Sequence, residues 1–293
     1  MTFTTRFAPS PTGPLHLGHA YSALFAYNMA QTRNGRFLLR VEDIDRSRAR
    51  AEWETQIYDD LAWLGLKWET PVMRQSDRFD VYQDVLDQLW ARGLLYPCTC
   101  SRADIAAAAS APQEGVPLLG PDGVIYPGTC REKHKMTERA QRPDNAALRL
   151  NMSKALRLTG HSNASTAPVM FKEACLPTES GTAQMSGPEI LRTIGDIVLA
   201  RRDIGMSYHL SVVLDDAAQG VTDVIRGADL FDATVIHVLL QELLNLPTPV
   251  YHHHPLIRDD KGKRLAKRDD ARALSLYRAQ GASPADIRAL IGL

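Results

Sequence analysis

The sequence predicts an α/β protein, with a parallel sheet and crossover helices laid out to bind a nucleotide and interrupted by an insertion in its middle. Three observations point there. Strand-like and helical patterns alternate through the N-terminal region. A stretch rich in Cys, Gly and Pro then breaks the pattern at residues 98–130, and regular order resumes from Asp196. The chain has 293 residues, enough for one large domain or two modest ones with ample core.

The elements follow in order. Residues 2–8 are short, β-prone and partly apolar, and Pro9-Ser10-Pro11-Thr12-Gly13-Pro14 is a loop set by its prolines and glycine. Over residues 15–30, Leu17, Tyr21, Leu24, Phe25 and Met29 recur at helical spacing. Asn34-Gly35 ends that helix, residues 36–42 read as a second strand, and residues 48–64 as a second helix closed near Gly65. A β-α-β-α order of this kind implies parallel strands. Residues 80–92 form another amphipathic helix ending at Gly93. Residues 141–190 are weakly patterned and read as irregular or β-containing. Residues 196–199 and 208–216 are regular again, residues 230–245 read as a helix and 248–257 as a strand. A basic loop at 259–268 precedes a final helical region. No internal repeat is present.

Lys plus Arg total 34 and Asp plus Glu total 34, for a net charge of zero, with 44% hydrophobic and 23% charged residues. That balance is ordinary for a globular protein. It argues against a chain held on nucleic acid by bulk electrostatics, and leaves room for a local basic face. No run of about 18 apolar residues exists, which excludes a membrane-spanning helix. Met1-Thr2-Phe3-Thr4-Thr5-Arg6 lacks an apolar signal core, so the expected location is cytoplasmic. Four cysteines are too few for a disulfide scaffold in a chain this long and point to metal or packing.

Two segments carry chemistry. In Arg6-Phe7-Ala8-Pro9-Ser10-Pro11-Thr12-Gly13-Pro14-Leu15-His16-Leu17-Gly18-His19, a strand end feeds a loop and a helix N-terminus. Exposed amides and the positive end of the helix dipole suit an anion such as a triphosphate. His16 and His19, three apart, face one side of the first turn. Gly18 removes a side chain where a flat base could lie against backbone. In Gly262-Lys263-Arg264-Leu265-Ala266-Lys267-Arg268, four cations share a short loop. Alone it would read as a solvated surface; beside a nucleotide it can stabilise charge building on phosphates.

Together these segments resemble class I aminoacyl-tRNA synthetases of the glutamyl type. His16-Leu17-Gly18-His19 matches their HIGH signature, and Arg264-Leu265-Ala266-Lys267-Arg268 the KMSKS position. The resemblance continues through residues 39–46, Tyr208-His209-Leu210 and residues 224–230, covering most of the chain in the right order. Arg6-Phe7-Ala8-Pro9-Ser10-Pro11 is similar to the glutamate-specific branch rather than the glutaminyl one. The chain ends about 25 residues after Arg268, too few for the anticodon-binding domain of full glutamyl synthetases. The resemblance therefore narrows to the glutamyl-Q tRNA(Asp) synthetases. It implies a Rossmann-type domain with a central zinc-containing, acceptor-type insertion and a short helical C-terminal part. The expected division is 1–97 and 191–247 for the two halves of the catalytic domain, 98–190 for the insertion, and 248–293 for the KMSKS-like loop and C-terminal helices.

The implied activity is ATP-dependent activation of L-glutamate without tRNA, then transfer to the queuosine base at the wobble position of tRNA(Asp), engaged through its anticodon stem-loop. The implied enzyme acts as a monomer. The alternative is a shortened conventional glutamyl-tRNA synthetase charging the tRNA 3′ end. A HIGH-type nucleotidyltransferase is disfavoured because the implied pocket suits a free amino acid, and a decayed tRNA-binding module because the site residues are retained.

By the resemblance, Arg6 serves the glutamate side-chain carboxylate and Arg226 helps hold the amino acid. Glu42 accepts the α-ammonium, Tyr208 distinguishes glutamate from glutamine, and Phe7, Ala8, Pro9 and Ser10 line the same pocket. His16, Gly18, His19, Lys263 and Lys267 serve ATP, which brings Mg²⁺. Lys267 neutralises the leaving pyrophosphate. Ala266 departs from the usual serine and removes a hydrogen bond to phosphate, so a weaker grip on ATP is expected.

Cys98, Cys100 and Cys130 in a Gly- and Pro-rich loop suggest a tetrahedral structural Zn²⁺. His134 is the more usual fourth ligand chemically. In the resembling family the pattern is Cys-x-Cys then Tyr-x3-Cys, which points to Tyr126. Cys175 has no partner pattern. His252-His253-His254 reads as strand-end packing near the nucleotide site, since alternating strand directions keep three successive side chains from one ion.

Overall fold

The structure, a computed structural model, describes residues 2–109, 119–131, 141–178, 181–257 and 272–293. The sequence-predicted β-α-β-α unit is present. Strand β1 (Thr4–Phe7), helix α1 (Leu17–Thr32), strand β2 (Arg36–Val41) and helix α2 (Ala51–Trp63) follow one another, and β3 (Met73–Arg74) precedes helix α3 (Phe79–Ala91). β1, β2 and β3 pair in parallel in that order, with Arg6 opposite Leu38. Parallel strands buried on both faces require near-continuous apolar runs, and Phe37, Leu38, Leu39 and Val41 supply one. Asn34, at φ 47°, makes the left-handed turn that ends α1.

The insertion begins with β4 (Leu95–Cys98), the Ala-rich α4 (Arg102–Ala109) and a small hairpin, β5 (Leu119–Gly120) and β6 (Gly123–Val124). β7 (Ala147–Leu150), α5 (Met152–Leu158), the hairpin β8 (Val169–Lys172) and β9 (Thr182–Met185), and α6 (Gly187–Thr193) follow, closed by β10 (Val198–Ala200). The weakly patterned region is therefore largely ordered, as short antiparallel strands and helices. Its sheet, β10-β7-β4, runs from Leu95 to Ala200 and overruns residues 98–190 at both ends. Its inward residues Leu148, Leu150 and Leu199 join one hydrophobic core with Leu210, Val213 and Leu239 of the following helices.

Residues 208–216, whose regularity the sequence marks without its period, form helix α7 (Tyr208–Ala218), capped by the Ser207 side chain. It is buried on nearly every side, which is why no amphipathic stripe is visible. β11 (Asp223–Gly227), α8 (Thr234–Leu243) and β12 (Val250–His254) complete the sheet, with β11 and β12 parallel. Thr4 exchanges hydrogen bonds with Thr222, N–H to Oγ1 at 2.9 Å and carbonyl from N–H at 2.9 Å, while the neighbouring Phe3 carbonyl serves Arg36 of β2. Successive backbone groups face opposite edges, so the β11–β12 pair lies alongside β1 on the edge away from β2. α9 (Leu274–Ala279) and α10 (Pro284–Ile291) close the chain, and α10 packs on α1. No helix among the described residues is long and apolar enough to cross a membrane.

Candidate active site

A cleft of about 380 Å³ opens where β1, β2 and β11 end. This is the edge of a parallel sheet where ligands are expected, beside the strand from which connections run in both directions. Arg6, Phe7, Ala8, His16, Gly18, His19, Glu42, Tyr208 and Arg226 line it, together with Ser22, Ile225, Gly227, Asp229, Leu230, His254, Leu256 and Ile257. Residues drawn from five separate parts of the sequence thus meet at one opening. Pro9 and Ser10 follow directly on this lining: the Pro9 carbonyl accepts from the Glu42 N–H at 3.0 Å, and Ser10 is exposed, with its carbonyl accepting from the Thr12 N–H at 2.9 Å. Lys263, Lys267 and Ala266 lie outside the described residues.

The two arginines are held rigidly and differently. Arg6 donates Nε and Nη2 to Asp216 at 2.8 and 3.2 Å. Asp216 also accepts from Arg40 Nη1 at 2.6 Å, and Arg40 donates Nη2 to Glu42 at 3.1 Å. Burial pushes the Asp216 carboxyl up, and the Arg6 and Arg40 guanidiniums outweigh it, holding it at about 2. Burial pushes the Glu42 carboxyl above its ordinary range, against the pull of Arg40 and Arg6. Arg226 donates Nε to His253 at 3.1 Å, Nη1 to His237 at 3.0 Å, and Nη2 to Thr234 at 2.7 Å. Two fixed cations, the Glu42 and Asp229 carboxylates and the Tyr208 hydroxyl thus surround the cleft. Burial raises the Tyr208 hydroxyl, so it stays protonated, and it makes no hydrogen bond among the described residues.

The histidine pair forms a reciprocal cap on α1. His16 Nδ1 accepts from the Gly18 N–H at 3.1 Å, and His19 Nδ1 accepts from the His16 N–H at 3.2 Å. An acceptor nitrogen carries no proton, so in the neutral rings the proton sits on Nε2, a donor suited to phosphate oxygens. Their spacing, legible in the sequence, thus closes the start of the helix.

The cysteines come together as expected. The Sγ atoms of Cys98, Cys100 and Cys130 lie within 4.8 Å of one another, and Cys100 is 3.4 Å from Cys130. Sulfurs about 2.3 Å from a tetrahedral zinc would sit about 3.8 Å apart, so the set fits a metal. The Tyr126 hydroxyl lies 3.6 Å from Cys100 Sγ and accepts from the Cys130 N–H at 2.7 Å. Burial pushes the Cys130 thiol up, but hydrogen bonds from Tyr126, Thr99 and Cys100 outweigh it and bring it to about 6, toward thiolate. The Arg149 guanidinium stacks 3.8 Å over the Tyr126 ring. His134 lies outside the described residues.

Residues 2–293 match the family model of tRNA synthetases class I (E and Q), catalytic domain. The chain is 62% identical over 289 residues to the glutamyl-Q tRNA(Asp) synthetase of Rhodobacter capsulatus, covering 99% of each. The chain belongs to the glutamyl-Q tRNA(Asp) synthetases, within the class I glutamyl and glutaminyl family. It is 41% identical over 287 residues to the glutamyl-Q tRNA(Asp) synthetase of Symbiobacterium thermophilum, covering 95% of this chain and 82% of that one. Among solved structures it superposes on a glutamate tRNA ligase from Elizabethkingia meningosepticum, in complex with its amino acid, with a TM-score of 0.66 and 26% identity. That match covers 92% of this chain and 52% of the other, so the chain spans about half the length of the solved ligase.

Within this glutamyl-Q type fold, two participants, Asp216 and Ser22, escaped sequence reasoning. Asp216 ends a motif that the sequence marked only as regular, and its partner Arg6 lies 210 residues away. Ser22 reaches His254 Nε2 at 2.7 Å, so one of the three successive histidines is a cleft wall. His252 pairs with Asp223 at 2.7 Å, and His253, on the opposite strand face, pairs with Glu173 at 2.5 Å and accepts from Arg226 at 3.1 Å. As period-two geometry requires, the three do not converge on one ion. The i, i+6 separation of Ser22 from His16 carried no signal, and only the fold links it to β12.

Proposed function

We propose that the chain activates L-glutamate with ATP to glutamyl-adenylate without tRNA and then transfers the glutamyl group to queuosine at the wobble position of tRNA(Asp). It would do so as a cytoplasmic monomer, engaging the anticodon stem-loop. The observation that carries the reading is the meeting of Arg6, Arg226, Glu42 and Tyr208 with the capped histidines in one cleft. The names of the relatives at 62% and 41% identity support it.

In this reading Arg6 takes the side-chain carboxylate and Arg226 the amino acid's other end, each by charge-assisted hydrogen bonds. Glu42 accepts the α-ammonium, and the Tyr208 hydroxyl donates to a glutamate carboxylate oxygen. The α-carboxylate oxygen attacks the α-phosphorus of ATP, the bond to the β-phosphate bridge breaks, and pyrophosphate leaves. No protein nucleophile is needed; positioning and charge stabilisation do the work. His16 and His19 would donate to phosphate oxygens, and Lys263 and Lys267 would offset the pyrophosphate charge. Mg²⁺ accompanying ATP would screen the phosphates. A cyclopentenediol hydroxyl of queuosine then attacks the glutamyl carbonyl, AMP leaves, and an ester forms. We further assign the cysteine cluster to a structural Zn²⁺ held by Cys98, Cys100 and Cys130 with Tyr126 as fourth ligand, ordering the insertion.

Glutamate-dependent ATP–pyrophosphate exchange without tRNA, followed by charging of tRNA(Asp) with and without queuosine, tests the reading. Exchange without tRNA and charging only of the modified tRNA are expected. Exchange that requires glutamate tRNA, or equal charging of unmodified tRNA(Asp), would overturn it.

A further inference from the structure

Arg226 sits at the junction of two histidine–carboxylate chains, and a guanidinium only donates hydrogen bonds. The direction of both chains is therefore fixed. His237 Nδ1 accepts from Arg226 Nη1 at 3.0 Å, so its proton is on Nε2. That nitrogen lies 3.0 Å from His209 Nδ1, which must accept; His209 Nε2 then carries the proton and donates to Asp122 Oδ1 at 2.9 Å. In the second chain, His253 Nε2 accepts from Arg226 Nε at 3.1 Å, and its Nδ1 donates to Glu173 Oε2. His209, His237, His253 and Glu173 are all buried. The groups facing His237 are Arg226 and His209, with Arg6 and His253 nearby, and burial with these charges holds its pKa well below the ordinary histidine value. Both histidines that touch Arg226 are thus neutral relays with a fixed tautomer.

The first chain ends at the surface. Asp122 is in the turn between β5 and β6, its side chain 48% exposed. Four residues later comes Tyr126 of the cysteine cluster, and Asp122 and Tyr126 line one cavity with Arg149. The relay therefore joins the cysteine-bearing loop to the cleft, its outer bond alone linking residues 87 positions apart.

We propose that Asp122 is a positioning residue for the glutamate site, acting through His209 and His237 on the Arg226 guanidinium. Asp122 accepts the terminal proton of the relay, and so fixes the rotation of two imidazoles and the aim of the arginine. The link also makes the insertion part of the amino-acid site rather than an appendage to it. The inference rests on the assignment of Arg226 to glutamate.

The test uses the full chain carrying Asp122→Ala and, separately, Asp122→Asn, in glutamate-dependent ATP–pyrophosphate exchange. Asn keeps an oxygen acceptor for His209 Nε2–H, whereas Ala removes it. Asp122→Ala is expected to raise the KM for glutamate roughly two- to tenfold, the worth of one net hydrogen bond, with the KM for ATP unchanged. Asp122→Asn is expected to restore most of the loss. A glutamate KM unchanged in the Ala variant, an Asn variant as impaired as Ala, or equal rises in both KM values would overturn the proposal. Absence of glutamate-dependent exchange in the unaltered chain would instead strike the functional reading.

Discussion

Replacing Asp216 with Asn isolates what holds Arg6 and Arg40 beside the cleft. Asp216 is 6% exposed and accepts from three guanidinium nitrogens on two arginines, of which Arg40 is fully buried. Arg40 Nε already lacks a partner among the described residues. The Asn amide would turn a donor toward donors and leave two buried cations short of their counter-ion. Breaking one partner of a buried ion pair costs about 3–5 kcal/mol. The carboxyl's depression to about 2 from its ordinary 3.8 gives an independent lower figure, about 2 kcal/mol at neutral pH. At 2–4 °C per kcal/mol, the melting temperature should fall by about 10 °C. Because the folded pKa is depressed, this stabilisation is fully present above about pH 4 and is lost as pH falls toward 2. The melting difference between the two proteins should therefore narrow only in that acid range. Arg6 loses its orienting partner as well, so the KM for glutamate in the exchange assay should rise at least tenfold. A variant that melts within about 2 °C of the parent at pH 7 with unaltered glutamate KM would refute the role given to Asp216.

Further perturbations address the remaining groups. Glu42→Gln removes the proposed seat of the α-ammonium and should raise the KM for glutamate roughly ten- to a hundredfold, read in the same exchange assay. Burial raises the Glu42 carboxyl, so as pH falls the KM should begin to climb at a higher pH than an ordinary glutamate would give; a flat profile to pH 4.5 would count against it. Cys130→Ser should abolish retention of one equivalent of zinc by metal analysis, and Tyr126→Phe should weaken it while the three thiols remain. Full retention in Tyr126→Phe would pass the fourth position to another ligand such as His134. Lys267→Ala should abolish glutamate-dependent pyrophosphate exchange, and unchanged exchange would remove that lysine from the mechanism.

The parts legible in the sequence are those whose cause is local. A parallel β-α-β unit shows itself because strand and helix periods alternate over a few residues each, and β1, α1, β2 and α2 fall within a few residues of the expected spans. The 141–190 region was opaque because its strands are short and its antiparallel partners, such as β4 and β10 on either side of β7, lie about fifty residues away. That His16 and His19 share one side of the first turn was legible from their spacing, whereas the reciprocal cap they form was visible only in the structure.

By its resemblance to known signatures the sequence determined the family, and by residue type and short spacing it determined the alternating α/β unit, the one-sided histidine pair at a helix start and the three thiols that come together. Tertiary structure alone decided which charges meet. Asp216 between Arg6 and Arg40, the paired histidine relays around Arg226, and Asp122 at the outer end of one of them join residues as many as 210 positions apart. Their common cause is physical: a buried cation must find a counter-charge or an acceptor wherever the folded chain provides one, and no local period records where that will be.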